Sequence, residues 1–442
     1  MTDHYHLVGI GGIGMSALAE WLLVDGHNVS GSDLTSTQLT KGLESKGASI
    51  FYEHRAENIV PGAQVVYSSG VPKDNVELQS AIKQGAELLH RSDLICRLVQ
   101  HSPLLVVTGA HGKTSTTAML AEVLDKAGSA PSFLLGGISN YFGVNGKRGK
   151  GDLVVLEGDE SDGSFLNCSP TGAIVTNFDR EHLSFWKTEE ALLEGFIQFA
   201  AKVRDKDLFF FCGDDPILSS AYHEGFSYGF SSHNDLVLSN VKQEGWNLTF
   251  DICFKGKTYD QILLNHIGEH QALNAAAVFG LALQLGLDEQ AIRLALATFK
   301  GVKRRVDLKG KKGDVLFLDD YGHHPTEIAA TIKGLKKAFP SRRLIVAFQP
   351  HRYTRTLECL SCFGSAFDGA DLLLLSDIYS AGEPAIPGIT GESILQEIKK
   401  SSKVLVHYVA RDQMKKMLDS LVCPNDICIS MGAGDITHLF SE

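Results

Sequence analysis

Short apolar segments alternate along the chain with longer stretches in which apolar positions recur at helical spacing. Such alternation predicts α/β domains with parallel sheets, because each strand is followed by a helix that returns across the sheet. In residues 1 to about 100, HLVGI, VSGSD and VVYSSG have the character of strands. A helix is predicted over residues 75–84.

A second alternating unit opens at Leu104 with LLVVTG and continues through LVVLEGD and AIVTNFD. Residues 226–265 differ, because FSYGF, DLVLSNV, LTFDICF and YDQILL alternate as hairpins do, which predicts a small β insertion. Helices are predicted near 269–285 and 288–299. A third unit follows KGVKRR and contains VLFLDDY, LIVAFQP, LLLLSDIY, VLVHYVA and ICISMGAGD.

A chain of 442 residues exceeds what one hydrophobic core usually holds. We therefore predict three mostly parallel α/β domains. Residues 1–102 form a Rossmann-like domain, 103–300 a central P-loop domain with the β insertion, and 301–442 a second Rossmann-like domain. The sequence contains no tandem repeat and no low-complexity segment.

The overall charge is negative, with 41 Lys plus Arg against 52 Asp plus Glu and a net charge of -11. Because basic runs are also missing, neither nucleic acid nor an anionic membrane is an expected partner. The opening MTDHYHLVGIGG lacks the features of a signal peptide, and the apolar runs are too short to span a membrane. These features predict a cytoplasmic protein without membrane insertion.

The eight cysteines are scattered, as is typical of a protein in a reducing cytoplasm. Cys359 and Cys362 have C-x-x-C spacing, but a zinc site would need a second such pair. Cys423 and Cys428 are wrongly spaced for that role. Cys359 and Cys362 are therefore predicted to be buried structural thiols.

A first glycine loop follows the opening strand, with Gly9, Gly11 and Gly14 in the pattern Gly-x-Gly-x-x-Gly. Asp33 ends the next apolar segment, about 20 residues further on, where a dinucleotide-binding fold places an acid that contacts ribose. Taken alone, this loop predicts a dehydrogenase that uses NAD.

A second glycine loop changes that interpretation. The segment VVTGAHGKTSTTAML places Gly112, Lys113 and Thr114 between an apolar strand and a helix. The standard P-loop would have glycine at position 107, where this chain has valine, so the loop is shorter. Main-chain amides, a lysine and a magnesium-binding hydroxyl are nevertheless all present, which predicts an ATP site. The alternative is a chance Gly-Lys-Thr in a turn.

Two further strand ends offer metal ligands, Glu157 in VVLEGDESDGSF and His182 in TNFDREHL. Because ligands bind at the carboxyl ends of parallel strands, these ends and the P-loop are expected to converge. The alternative is that the acids form a solvated loop. Those acids are Glu157, Asp159, Glu160 and Asp162.

Nine segments together resemble the Mur ligases of bacterial cell-wall synthesis, and with the first glycine loop the matches run in consistent order from Gly9 to Asp435. They are GAHGKT, EGDESDGSF, TNFDREHL, GEHQALNAAA, GVKRR, DDYGHHPTEI, FQPHRYTRT, DIYSAGE and MGAGDI. The short P-loop is normal in that family. Ala110, Gly158, Gln271 and Val306 depart from its usual pattern.

The resemblance implies ATP-dependent ligation of L-alanine to UDP-N-acetylmuramate through an acyl phosphate, in peptidoglycan precursor synthesis. ATP would be the cosubstrate, with Mg2+, or Mn2+ in its place, as the cofactor. The metal ligands would be Thr114, Glu157 and His182, holding two ions. The partners would be the small-molecule substrates alone, and we expect a monomer or weak dimer.

The same resemblance assigns ATP to a set of residues in the second and third domains. Asn274 would contact adenine, Arg305 the phosphates and Asp320 the ribose. The whole set is Gly109, Ala110, His111, Gly112, Lys113, Thr114, Ser115, Asn274, Arg305 and Asp320. Without the resemblance, Asn274 would be as well explained as a helix-surface residue, and His323 and His324 as packed or solvent-facing histidines.

Arg352 and Arg355 follow a strand end and are close enough in sequence to converge on one carboxylate. The resemblance assigns this region to the incoming amino acid, with His351 and His324 beside the arginines. The alternative is two surface arginines on a charged loop. The predicted catalytic set is Lys113, Glu157, His182, Arg352 and Arg355.

The first loop is then expected to bind the pyrophosphate of a UDP-sugar, because neither its glycines nor the helix N-terminus distinguishes UDP from NAD. Two other classes of protein fit less well. A dehydrogenase would need a hydride-transfer site, which we do not find, and residues 176–179 read TNFD instead of a guanine-binding Asn-Lys-x-Asp. The predicted UDP-sugar residues are Gly9, Gly11, Gly12, Ile13, Gly14, Asp33, Ser69 and Gly70.

Overall fold

The computed structural model of the protein describes residues 3–440. Positions 1, 2, 441 and 442, at the outer ends of the first and last predicted domains, lie outside this range. The chain divides into two compact units. One comprises Met1–Leu238, Ile252–Tyr259 and Leu273–Lys300, and the other comprises Ser239–Asp251, Asp260–Ala272 and Gly301–Glu442.

The first region of the chain is a parallel sheet with the strand order β3-β2-β1-β4-β5. Its elements are β1 (His4–Val8), α1 (Ile13–Val24), β2 (Asn28–Ser32), α2 (Gln38–Ser45), β3 (Ser49–Phe51), β4 (Gln64–Tyr67), α3 (Val76–Gln84), β5 (Leu88–His90) and α4 (Arg91–Val99). The strand order reverses at β1, since β2 and β4 lie on opposite sides of it. Such a reversal leaves a crevice at the carboxyl ends of the strands, where ligands bind.

The second region is built around a larger sheet of order β15-β14-β13-β12-β11-β10-β6-β9-β7-β8. Its elements are β6 (Leu104–Thr108), α5 (Lys113–Lys126), β7 (Ser132–Leu134), β8 (Gly146–Lys147), β9 (Val154–Glu157), β10 (Gly172–Val175), α6 (Leu183–Trp186), α7 (Glu189–Ala201), β11 (Phe209–Cys212), α8 (Pro216–Ala221), β12 (Phe226–Gly229), β13 (Leu236–Glu244), β14 (Asn247–Phe254), β15 (Lys257–Asn265), α9 (Glu269–Gln284) and α10 (Glu289–Ala297).

The position of β6 determines where the second glycine loop lies. All five residues of β6 are buried, as expected for a central parallel strand that is covered on both faces. Its parallel neighbours are β9 on one side and β10 on the other. The loop that leaves β6 therefore lies between the ends of β9 and β10, which carry Glu157 and Thr176.

The third region is a sheet of order β16-β17-β21-β18-β19-β20, parallel except for β16. Its elements are β16 (Asp307–Lys312), β17 (Val315–Asp320), α11 (Pro325–Ala338), β18 (Leu344–Phe348), α12 (Tyr353–Cys359), β19 (Leu372–Leu375), α13 (Gly391–Ser401), β20 (Leu405–Tyr408), α14 (Met414–Leu421) and β21 (Ile427–Met431). Every residue of β18, β19 and β21 is buried. Apolar side chains of α11 and α13 pack with them in one core.

Three mostly parallel sheets with flanking helices confirm the predicted three-domain α/β fold. The domain boundaries at residues 102 and 300 stay a prediction. The predicted helices at 75–84, 269–285 and 288–299 correspond to α3, α9 and α10 within a few residues. No helix among residues 3–440 is both long and apolar enough to cross a membrane.

Two details of strand pattern differ from expectation. FSYGF was predicted to be part of a hairpin, but β12 pairs in parallel with both β11 and β13. The strand β16 was not predicted, because its sequence DLKGKK has no apolar alternation. It lies at the sheet edge, and its lysines are exposed. Lysines are common on edge strands because they discourage pairing with another chain.

The cysteines also differ from expectation. Cys96 of α4 forms a disulfide with Cys168, and their Cα atoms are 5.4 Å apart. No local spacing could predict this pair, since 72 residues separate its members in sequence. For the C-x-x-C pair, the prediction of buried thiols is right for Cys359, which lies in the core. It is wrong for Cys362, which is exposed because the 3-10 helix that follows α12 turns it outward.

Candidate active site

The first glycine loop lies at the crevice of the first sheet. Gly9 follows β1 with a φ of +75°, and α1 begins at Ile13. The amide of Gly11 donates to Oδ2 of Asp33 at 2.9 Å, so the acid at the end of β2 is held against the loop. A Cβ at position 11 would lie 2.8 Å from that oxygen, which is why glycine is needed there.

The predicted UDP-sugar residues thus surround one crevice, although their contacts with a ligand stay a prediction. Ser69 and Gly70 follow β4, on the other side of β1. The Ser69 hydroxyl hydrogen-bonds with Asp162 and lies 3.1 Å from Nε2 of His90. Ser69 therefore contacts the segment of acids that follows β9.

The same acidic segment is joined to α4, and no local sequence pattern predicts this link. Arg91, the first residue of α4, donates from Nη2 to Oδ2 of Asp159 at 2.8 Å. Its Nη1 lies 2.6 Å from where a Cβ on Gly14 would stand, so the guanidinium is beside the first glycine loop. Asn167 donates to Ser92 and Asp93, and the Cys96–Cys168 disulfide follows.

The second glycine loop is bound to the end of β10. The amides of Ala110 and His111 donate to Asn177 at 3.1 and 2.8 Å, and Thr176 Oγ1 donates to the carbonyl of His111 at 2.6 Å. Oδ2 of Asp179 accepts a hydrogen bond from Nε2 of His111 at 2.7 Å. These bonds fix the loop so that the first turn of α5 starts directly after Gly112.

The side chain of Lys113 folds back over its own loop. Its Nζ donates to the carbonyls of Gly109 and Ala110 at 2.6 and 3.0 Å and to Oε1 of Glu160 at 2.8 Å. Burial lowers the pKa of a lysine, but here the Glu160 carboxylate outweighs burial and raises the pKa to about 12. Lys113 is therefore charged, and Glu160 is its counter-ion.

Thr114 and Glu157, both predicted to bind metal, come together. The Thr114 hydroxyl donates to Oε1 of Glu157 at 2.8 Å, and Oε2 accepts from the amide of Gly136 at 2.6 Å. A hydroxyl next to a carboxylate provides the hard oxygen ligands that Mg2+ prefers.

His182 lies in a second group of side chains that could hold a metal ion, with Glu160 and Glu181. One ligand atom from each lies within 4.8 Å of the other two. Burial raises the pKa of Glu160, and its Oε2 is buried without a hydrogen-bond partner among residues 3–440. A buried carboxylate oxygen that lacks a donor fits a divalent cation, so these residues are suited to hold one.

From sequence, Glu160 belongs to a group of acids that could equally form a solvated loop, and no motif singles out Glu181. Glu160 is instead 2% exposed and contacts both Lys113 and His182. A signal for both existed, since each acid follows a predicted strand by a few residues, as Glu157 and His182 do. The chemistry of the segment could not be assigned without knowing which carboxylate turns inward.

Asn274 of α9 also reaches the second loop. A Cβ on Gly112, which has a φ of +82°, would lie 3.1 Å from Oδ1 of Asn274. Asn274 is buried, at 5% exposure. The structure thus places it at the P-loop instead of on a helix surface, and contact with adenine stays a prediction.

Three of the predicted site residues belong to the other compact unit: Arg305, Asp320 and His324. Burial raises the pKa of Asp320 to about 6, and its two oxygens accept from the amides of Val306 at 2.8 Å and Gly322 at 2.6 Å. Nη1 of Arg305 lies 3.4 Å from Glu327. His324 is the N-cap of α11. Their predicted roles with ATP and the amino acid are untested by these contacts.

The predicted amino-acid residues His351, Arg352 and Arg355 lie where β18 passes into α12. Nη1 of Arg355 donates to Nδ1 of His351 at 3.2 Å. Burial, together with the charges of Arg355 and Arg352, lowers the pKa of His351 to about 4, so the ring is neutral and accepts this bond. Nε of Arg352 donates to Glu383 at 2.5 Å. Each arginine is thus held by a separate partner.

Comparison with protein families gives three matches along the chain. Residues 4–102 match the model "Mur ligase family, catalytic domain", residues 107–282 match "Mur ligase middle domain", and residues 304–434 match "Mur ligase, glutamate ligase domain".

Individual relatives agree with these matches. A UDP-N-acetylmuramate–L-alanine ligase of Protochlamydia amoebophila is 45% identical and aligns over 100% of this chain and 98% of its own. A bifunctional MurC/Ddl enzyme of Chlamydia caviae is 42% identical over 98% of this chain, which spans 53% of that protein. A crystal structure of the UDP-N-acetylmuramate–alanine ligase of Thermotoga maritima has a TM-score of 0.86 at 28% identity, covering 99% of this chain and 97% of that one.

Proposed function

The chain belongs to the Mur ligase family, and from this premise we propose that it joins L-alanine to UDP-N-acetylmuramate in a reaction driven by ATP. The products are UDP-N-acetylmuramoyl-L-alanine, ADP and phosphate, in the synthesis of peptidoglycan precursors. Since the family match begins at residue 4, the first glycine loop belongs to a ligase and not to a dehydrogenase.

One observation supports the chemistry most strongly. The two glycine loops lie in the same compact unit, and Arg91 contacts the surroundings of both, reaching Gly14 on one side and Asp159 on the other. A loop for a sugar nucleotide and a loop for ATP are what the transfer of a phosphoryl group between these two substrates needs.

We assign the first step to the second loop. The carboxylate on the lactyl group of UDP-N-acetylmuramate attacks the γ-phosphorus of ATP. The bond from that phosphorus to the bridging oxygen breaks, so this step yields the acyl phosphate and ADP. The main-chain amides at the start of α5 and the charge of Lys113 bind the phosphate oxygens and stabilise charge that moves onto ADP. On binding ATP, Lys113 exchanges its Glu160 contact for phosphate.

The second step is aminolysis. The amine of L-alanine attacks the acyl carbon, phosphate leaves, and the nitrogen loses a proton to give the amide. Arg352 and Arg355 bind the carboxylate of alanine, which orients its amine. His351, neutral because of its low pKa, holds Arg355 in place.

We propose Mg2+ as the cofactor, with Mn2+ able to replace it. Thr114 and Glu157 would hold one ion, and His182 with Glu160 and Glu181 a second. When bound, such ions neutralise phosphate charge and so favour attack by a carboxylate. We further propose that the protein works in the cytoplasm, with small molecules as its only partners, as a monomer or weak dimer.

ADP formation measured with UDP-N-acetylmuramate, L-alanine, ATP and Mg2+ tests the function, with each component omitted in turn. We expect full turnover only in the complete mixture, with one ADP and one amide per cycle. Repeated turnover of ATP to ADP without L-alanine, or amide formation with NAD in place of ATP, contradicts the proposal.

A further inference from the structure

The loop that follows β19 approaches the amino-acid region. Because β18 and β19 are parallel neighbours, the chain leaves both strands at the same edge of the sheet. The amide of Arg352 donates to the carbonyl of Tyr379, the amide of Tyr379 donates to Pro350, and both bonds are 2.8 Å long. The rings of His351 and Tyr379 stack with an interplanar angle of 10°. The two loops are thus fixed to one another.

A turn in the second loop brings the Glu383 carboxylate back to the first loop. The amide of Glu383 donates to the carbonyl of Ser380 at 3.0 Å. Oε1 of Glu383 accepts from Nε of Arg352 at 2.5 Å and from the hydroxyl of Thr354 at 2.7 Å, and Oε2 accepts from the amide of Thr354 at 3.1 Å. Glu383 is 14% exposed, whereas Arg352 is 47% exposed.

The bond uses only one edge of the Arg352 guanidinium. Among residues 3–440, no hydrogen bond engages its Nη1 and Nη2. Those two nitrogens form an edge that can bind a carboxylate through two parallel hydrogen bonds. An arginine has several rotatable bonds, so an anchor at Nε reduces the freedom that a substrate would otherwise have to remove.

The charges are consistent with a site for one carboxylate. Arg352 and Arg355 are cations, Glu383 is an anion, and His351 is neutral because of its low pKa. These four groups together carry one net positive charge, beside an exposed guanidinium edge. A single amino-acid carboxylate would neutralise it.

We propose that Glu383 is a positioning residue for amino-acid recognition, which acts by holding Arg352 so that Nη1 and Nη2 face the incoming carboxylate. This inference rests on the proposed function, because it takes L-alanine as the ligand of Arg352. Glu383 does not touch the substrate. Its loss therefore weakens the binding of the amino acid and leaves the phosphoryl-transfer step intact.

The test is Glu383→Gln, which keeps the size of the side chain and an oxygen for Thr354 but removes the charge that holds Arg352. We expect the KM for L-alanine to rise about 10- to 100-fold, as for the loss of a charge-assisted contact. The KM values for ATP and UDP-N-acetylmuramate and the kcat at saturating alanine should each stay within about threefold. Glu392→Gln, an exposed carboxylate on α13 of the same unit, is the matched control and should change none of these values.

A double-mutant cycle shows whether Glu383 acts through Arg352. Once Arg352→Lys has removed the guanidinium edge, adding Glu383→Gln should raise the alanine KM by less than twofold further. Glu383→Asp keeps the charge on a shorter side chain and should give an intermediate KM. It also provides the comparison in case Glu383→Gln unfolds.

Each outcome has a distinct meaning. An unchanged alanine KM in Glu383→Gln, or a full additional effect on top of Arg352→Lys, overturns the positioning role. Equal rises in all three KM values together with a lower unfolding temperature indicate a structural role only and overturn it as well. If the unsubstituted protein forms no ADP that depends on alanine, then the proposed function fails first, and this inference with it.

Discussion

A partly buried lysine needs a nearby counter-charge, and for Lys113 the buried carboxylate of Glu160 provides it. We predict that Lys113→Ala lowers product formation at least about 100-fold, because the phosphate charge loses its main cationic partner. Binding of UDP-N-acetylmuramate, measured by calorimetry, should change less than twofold. Lys126→Ala is the control, since Lys126 pairs with Glu122 on the same helix and should leave turnover near normal. Near-normal turnover in folded Lys113→Ala would falsify the assignment of the P-loop.

A second buried carboxylate, Glu77, contributes to stability in a way that depends on pH. Burial raises its pKa, but the His6 ring, whose Nε2 lies 3.7 Å from the carboxylate, acts in the opposite direction. Together with hydrogen bonds from Ser32, Asn58 and His54, it outweighs burial and lowers the pKa to about 2. The stabilisation is therefore complete above the unfolded pKa near 4.5, and it is lost as the pH falls from about 4.5 to about 2. A shift of this size corresponds to about 3 kcal/mol.

We predict that Glu77→Gln lowers the free energy of unfolding by about 3 kcal/mol at pH 7 and by clearly less at pH 3. Urea unfolding at both pH values measures the difference. Glu87→Gln, which removes the exposed partner of Arg97, should cost about 0.5 kcal/mol or less. A loss at pH 3 as large as that at pH 7 contradicts the assigned pKa.

Residue types that lie directly in a motif were predictable, and those that complete a site from elsewhere were not. Gly11 with Asp33, and Thr114 with Glu157, were expected to converge, and the structure brings each pair together. Glu383 follows a different strand from the arginine that it holds. Its pairing depends on the order of strands in the sheet, which no local pattern specifies.

At the scale of elements, the turn between β6 and α5 depends on a glycine conformation. Gly109 has a φ of +128°, and a Cβ there would lie 2.2 Å from Oγ1 and 2.9 Å from the backbone nitrogen of Thr176. We predict that Gly109→Ala displaces the loop from β10 and abolishes measurable ATP binding by calorimetry.

The matched control for that substitution is Gly42→Ala in α2, where a Cβ meets nothing within 4 Å. Alanine should stabilise this helix by about 0.5–1 kcal/mol and leave ATP binding unchanged. If Gly109→Ala binds ATP as well as Gly42→Ala does, then the loop does not depend on the conformation of Gly109 or on its close approach to Thr176.

The elements that repeat a strong pattern were predictable from the sequence. Buried parallel strands such as β6 and β18 are continuous apolar runs, and the helices between them have regular apolar spacing. The pattern was less informative for β16, at a sheet edge, and for β12, inside the central sheet. The lysines of β16 face solvent, and β12 pairs on both sides with parallel neighbours although its sequence alternates.

At the scale of the molecule, the disulfide joins the first region to the chain just after the acidic segment of the second. We predict that reducing Cys96–Cys168, or replacing Cys168 with serine, lowers the stability of the protein by about 2–4 kcal/mol, because the unfolded chain regains freedom. Thermal unfolding with and without a thiol reductant measures the loss. Cys212 is not part of a disulfide, so Cys212→Ser is a control that should not alter the response to reductant.

Thiol titration of the denatured protein gives an independent check. Eight cysteines with one disulfide leave six thiols before reduction and eight after it. Eight thiols in protein purified without reductant, together with an unfolding temperature that reductant does not change, contradict this prediction.

The number of domains and their order followed from the sequence, but the connections between them did not. Arg91 with Asp159, and Cys96 with Cys168, are contacts between segments about 70 residues apart in the chain. Nothing in the local sequence of either segment indicates its partner. Such contacts are a property of how whole domains pack.

The contact of Arg91 with both Gly14 and Asp159 has a thermodynamic consequence. An anion that settles at Gly14 draws on the same guanidinium that neutralises Asp159, two residues from the acid at the end of β9. If a ligand at the first glycine loop changes the binding free energy of a ligand at the second, the second ligand changes the binding free energy of the first by the same amount. We expect this coupling to be non-zero, so that each dissociation constant has a value only at a stated concentration of the other ligand.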